Sequence, residues 1–186
     1  MSQIPPDDQT ERRRQNAPLR EMIFRFFPQS VYTGTIIAGG DVDDGPQQLS
    51  TKSSDERALV HMLKGKRWTE IPLQFLDQHQ GDFVLLAAEA FAAFIPAWLV
   101  FALDNDFTGA EYIVYTFAPR DPQGSSQIRQ ISIEMFQALS PLQRRTLLIF
   151  LQAIAMYDPS DYVRDYAEAA VDAVDNLISV FQTNSI

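Results

Sequence analysis

Cysteine is absent from all 186 residues, and that one gap excludes disulfides, thiolate metal sites and a cysteine nucleophile. Histidine is almost as scarce, since His61 and His79 are the only two, too few for the imidazole-rich centres common in metalloenzymes. Phosphate-cradling loops are missing: neither G-x-x-x-x-G-K-[ST] nor G-x-G-x-x-G occurs, and no G-x-S-x-G marks a serine nucleophile. Positive charge is in deficit. Fifteen Lys and Arg face 24 Asp and Glu, a net of −9, and residues 87–186 alone hold 12 acids against 5 bases. Phosphate backbones repel such a surface, so nucleic-acid binding is not expected, whereas a basic protein partner is compatible with it. The N-terminal MSQIPPDDQTERRRQ lacks the apolar stretch of a secretory signal, which predicts a cytoplasmic location.

What the chain does hold is apolar and aromatic. Hydrophobic residues make up 46%, with 13 Phe, 6 Tyr and 2 Trp, enough to centre one well-buried core on rings. The run FVLLAAEAFAAFIPAWLVFAL over residues 83–103 carries Glu89 as its lone acid and is as long as the roughly 20 residues of a membrane span. Its internal Pro96 and the lack of any Lys or Arg between Arg67 and Arg120 point instead to a buried core helix, and no membrane association is expected.

Periodicity and punctuation lay out the rest. Residues 1–17 give no apolar pattern and read as a disordered tail, including the run Arg12 to Arg14; residues 18–186 form a single helical domain. A helix is expected over Pro18 to Phe27, followed by the β-prone stretch Val31 to Ile37 and a polar loop. That loop, GGDVDDG, offers Asp41, Asp43 and Asp44 as oxygen ligands, but no Glu closes it at the twelfth position, so a plain loop is preferred over a calcium site. Ser53 or Ser54 caps the next helix, which Gly65 stops, and a short helix follows Trp68 through Leu76. The long helix runs from about Ala87 to Leu103, with Pro96 expected to kink or split it. Residues 111–118 suit a strand or a buried helix equally well. Ile128 to Leu139 resume helical spacing, Ser140-Pro141 starts a helix whose inner face is Leu142, Thr146, Ile149, Phe150 and Ala153, and a last helix runs from Ser160 to about Phe181.

On that last helix Asp161, Asp165, Glu168, Asp172 and Asp175 fall within about 80° of arc. Tyr162, Tyr166, Ala170, Ala173, Val174, Leu177 and Phe181 take the opposite side. Like charges three and four residues apart repel, at about 0.2–0.5 kcal/mol per pair, so the stripe reads as a solvated face or a docking surface, ahead of a metal site, for which an exposed ridge lacks a concave cage of oxygens. Enzyme chemistry finds little. Asp104 and Asp106 follow a helix end where acids are ordinary, and Glu89 in a first turn reads as a capping group.

The segments LKGKRWTEI, AAEAFAAFIPAWLVFAL and FQALSPLQRRTLLIFL resemble a bacterial family catalogued as a domain of unknown function. The matching positions are Trp68, then Phe91, Phe94, Ile95, Pro96 and Ala97, then Leu139, Ser140, Gln143, Phe150 and Leu151. The resemblance covers residues 54–152, departs by having Ile95 where Leu is usual, and does not include the acidic C-terminal helix. It implies a mainly helical fold, tips residues 111–118 towards helix, and implies no catalytic activity.

The fold expected is therefore mainly α: an irregular single-domain bundle around a Pro-kinked central helix, with at most a minor β element. The function expected is that of a non-catalytic interaction factor, immunity-like or regulatory, whose acidic last helix meets a basic protein; no cofactor or metal is expected. The alternative is a small-ligand binder or enzyme with a pocket beside Pro96, lined by Trp68, Glu89 and Trp98.

Overall fold

A computed structural model describes residues 8–41, 53–119 and 130–183. Its helices are α1 (Asp8–Phe26), α2 (Ser54–Leu63), α3 (Leu73–Gln78), α4 (Ala88–Asp104), α5 (Ala110–Phe117), α6 (Gln130–Ala138), α7 (Pro141–Tyr157) and α8 (Asp161–Thr183), with 3₁₀ turns at Trp68–Glu70 and Asp82–Leu85. Two of them start where the sequence says they should. The Ser53 hydroxyl accepts the Glu56 N–H at 3.2 Å while the Glu56 carboxylate accepts the Ser53 N–H at 2.7 Å. Ser140 and Gln143 repeat this reciprocal cap at the start of α7, with Pro141 in the first turn, where its missing N–H costs nothing. At the other end of α2, Gly65 takes a left-handed φ of +71°, which a side chain would oppose.

α4 is apolar on every side and must therefore be covered on every side. From Phe94 to Leu103 each of its residues is buried. α1, α3, α6 and both 3₁₀ turns pack against it. Rings carry the core outward from it: Phe83 meets Phe91 at 6.1 Å between centroids, Phe91 meets Phe117 at 6.2 Å, Phe117 meets Phe136 at 6.4 Å and Phe136 meets Phe181 at 6.2 Å. That chain of contacts links the second 3₁₀ turn to α4, α5, α6 and α8. Arg144 of α7 closes the end of α6, donating to the carbonyls of Phe136 at 3.0 Å and Gln137 at 2.8 Å while lying over the Phe136 and Phe181 rings. Partial burial lowers its pKa below the usual guanidinium range.

The mainly α, single-domain fold expected from the sequence is present, and residues 110–117 are helix. The β-prone stretch contributes one antiparallel bridge, Ile37 to Leu86, the only one among the described residues. Backbone bonds tie it down on both sides: Tyr32 N–H donates to the Lys66 carbonyl and Ala87 N–H to the Ile36 carbonyl, so this segment stitches the end of α2 to the start of α4.

Other expectations shift. α1 begins at Asp8, so residues 8–17, read as part of a disordered tail, continue the helix, and Pro18 lies inside it. Periodicity could not reveal those turns because they carry no apolar face; the Asn16 amide donates to the Leu103 carbonyl at 3.4 Å and ties this stretch to the end of α4. Residues 1–7 lie outside the described residues. α4 is not split at Pro96, and its helix runs unbroken from Ala88 to Asp104. On α7 the buried set is Gln143, Thr146, Leu147, Phe150, Leu151 and Ile154, whereas Leu142 is 54% exposed. The face is turned because α8 and α1 both pack on α7, widening its buried arc away from Leu142. Asp41 of the acidic loop is engaged as a local cap: its Oδ1 accepts the N–H groups of Ile36 at 2.6 Å and Ile37 at 3.1 Å, and its other oxygen faces Lys64 at 3.4 Å. Asp43 and Asp44 lie outside the described residues.

The corrected α7 face makes a paired test. Leu147→Ala should cost about 2–5 kcal/mol of unfolding free energy through the cavity it leaves, and Leu142→Ala should stay within about 0.5 kcal/mol, both read by denaturant titration. Equal losses at the two positions would contradict this packing.

Candidate functional site

α8 lies on α7 and α5 through Ala167, Ala170 and Val174, which are fully buried. Small residues at these positions let the helix approach closely, and the spacing of three and four residues turns the intervening acids outward. Asp161, Asp165, Glu168, Asp172 and Asp175 are all exposed. Arg164 pairs with Asp161 and donates to the Asp158 carbonyl, so it serves the helix start. Among the described residues no ion pair reaches Asp165, Glu168, Asp172 or Asp175.

Tyr162 departs from the side assigned to it by the sequence. It is 60% exposed and joins Tyr115 and Tyr166 in a cluster with centroid separations of 6.4 Å, 5.3 Å and 4.9 Å. Met156 and Tyr157, at the end of α7, are exposed as well. The first turns of α8 thus carry an exposed tyrosine cluster beside the start of the acidic ridge. Burial, chiefly, and then Tyr162, Glu111 and Asp158 push the Tyr115 phenol above 10.0.

Trp68, Glu89 and Trp98, the alternative site, are dispersed in their roles. The Trp68 indole N–H donates to the Pro28 carbonyl at 3.1 Å, and its ring packs on Phe24 at 4.8 Å. Trp98 donates to the His79 carbonyl at 2.9 Å and meets the Phe83 ring edge-on. Glu89 is exposed in the first turn of α4, whose cap, Ala87, receives no side-chain hydrogen bond, so the acid acts on the helix dipole rather than as a cap. Nine residues of helix separate it from Trp98, about 13 Å of rise and half a revolution, so the two do not share a wall. Of the paired acids, Asp104 faces Arg20 at 3.3 Å.

One constellation was not legible in the sequence. Asp55 of α2, His79 after α3 and Asp82 of the second 3₁₀ turn place one donor atom each within 4.8 Å of one another. His79 Nδ1 lies 2.6 Å from Asp82 Oδ2, and the imidazole stacks on Phe75 at 4.3 Å. The spacing of His79 and Asp82 was the only sequence signal; Asp55 arrives through packing of α2 on the turn.

The phenols give a pH test. Tyr32 is also raised above 10.0, by burial first and then by Glu89 and Asp41. A raised folded pKa means that the fold favours the neutral hydroxyl. Its contribution to stability is complete below the ordinary tyrosine value and disappears as pH climbs through the higher folded value. Phenolate absorbance should show a late-titrating fraction that Tyr115→Phe and Tyr32→Phe each diminish; if neither changes it, the assignment fails.

Among the described residues no helix is long and apolar enough to cross a membrane. No curated protein and no solved structure gives a significant match. The family of unknown function DUF6714 matches residues 18–176, which takes in the buried part of α1, the whole core and most of α8, and the chain belongs to that family.

Proposed function

We propose that this protein is a non-catalytic interaction factor, immunity-like or regulatory in role, whose α8 surface docks a basic partner protein. The observation that carries the reading is the exposed row Asp161, Asp165, Glu168, Asp172 and Asp175, in which each acid has a like charge three or four residues away. Folding alone would favour interspersed Lys or Arg, since each such pair costs about 0.2–0.5 kcal/mol. A basic partner reverses the sign of that cost by complementarity. Tyr162 at the start of α8, and Met156 and Tyr157 at the end of α7, are exposed residues of types that interfaces favour. A small-ligand site beside Pro96 has less support, because both indole N–H groups already serve backbone carbonyls.

The test is the triple variant Asp165→Asn, Glu168→Gln, Asp172→Asn. It should fold with stability equal to or above the parent, each relieved pair contributing about 0.2–0.5 kcal/mol. A basic protein captured by the parent from native lysate should be lost with the variant, and its binding to the parent should weaken as salt rises. Capture that is unaffected by the substitutions, or the absence of any captured basic protein, overturns the proposal.

A further inference from the structure

We infer that Asp55, His79 and Asp82 form a binding site for a divalent first-row transition cation of the zinc type. The inference is independent of the acidic face of α8 and stands on different residues.

The donor set is one imidazole and two carboxylates, a combination that zinc accepts, with three protein ligands and water in the remaining position. The three donor atoms already lie within 4.8 Å of one another. Around a tetrahedral ion with bonds of about 2.0–2.1 Å, donors sit roughly 3.3 Å apart, so closure needs only side-chain rotation. Asp55 is exposed and His79 and Asp82 are half-buried, which leaves the open side to solvent.

The imidazole is held before any ion arrives. Its ring stacks on Phe75, its backbone N–H donates to the Phe75 carbonyl at 3.0 Å, and its carbonyl receives the indole of Trp98 from the core helix. Nδ1 and Asp82 Oδ2 lie 2.6 Å apart, and the ring nitrogen that carries the imidazole proton decides whether it sits between them. When that proton resides on Nε2, the Nδ1 lone pair and the carboxylate converge on one point, which a cation then occupies. Charge argues the same way. Two carboxylates meet here, and among the described residues no Lys or Arg pairs with either one. A divalent ion offsets their repulsion. Asp41 shows the contrast: its carboxylate is already taken up by two backbone amides and Lys64. A bound ion would pin the first turn of α2 to the corner between α3 and α4.

The experiment uses the full chain, free of any affinity tag and treated with chelator, titrated with Zn²⁺ by calorimetry and by nitrogen-resolved imidazole NMR. With only two histidines, exposed His61 is the internal reference. Saturable one-to-one binding is expected, with the His79 Nδ1 resonance moving, His61 still, and a saturable rise in Tm. Asp55→Asn and His79→Gln should each weaken binding about tenfold or more. If His79→Gln fails to fold, Asp55→Asn at its exposed position carries the test alone. Heats that do not saturate, parallel shifts of both imidazoles, or parent-like affinity in Asp55→Asn overturn the site.

Discussion

A helix with no polar side imposes one constraint on this molecule: it has to be enclosed. α4 spans 17 residues, about 25 Å, and leaving its Phe, Leu, Trp and Ile side chains in water would cost about 1.5–3 kcal/mol for each large one. α1, α3, α6 and the two 3₁₀ turns meet that demand, while α5, α7 and α8 extend the core outward through Phe117, Phe150 and Val174. Pro96 is tolerated at the centre of α4 because surrounding helices hold the chain there; it forfeits one backbone hydrogen bond without ending the helix.

Enclosure also dictates where polar chemistry can be. Among the described residues every buried side-chain nitrogen and oxygen has a partner. Ser132 donates to the Thr116 carbonyl at 2.6 Å, Thr116 to the Tyr112 carbonyl at 2.8 Å, and Thr146 to the Leu142 carbonyl at 2.9 Å. The first of these bonds ties α6 to α5, and the other two lie within α5 and α7. The acidic row of α8 and the Asp55, His79, Asp82 corner lie at the rim of this core. The two places depend on the core differently. The row needs only that α8 keep one face down, whereas the corner depends on Trp98, whose indole fixes the His79 carbonyl from within α4.

The DUF6714 match extends over residues 18–176 and so takes in both the core helix and the acidic row through Asp175. The sequence resemblance, drawn from residues 54–152, had reached neither α1 nor α8. Packing motifs such as Phe91, Phe94 and Pro96 are easy to see because they are dense and apolar, while the acids of α8 follow a spacing that many surface helices share.

The sequence by itself determined what local chemistry can encode. The Ser53 and Ser140 caps, the stop at Gly65, the burial of α4 and the acidic row of α8 all follow from residue type and spacing within one element, because helix geometry converts spacing directly into faces. Tertiary structure alone decided whatever depends on a neighbour. The helix at residues 110–117 prevailed over a strand because its side chains suit both, and packing on α8 fixes the choice. The turns of α1 before Pro18 have no apolar stripe to announce them, the buried face of α7 is set by α1 and α8 together, and Tyr162 is drawn into a ring cluster on the surface. Asp55 meets His79 and Asp82 only after α2 has settled on the 3₁₀ turn, since nothing local records a contact between residues so far apart in the chain.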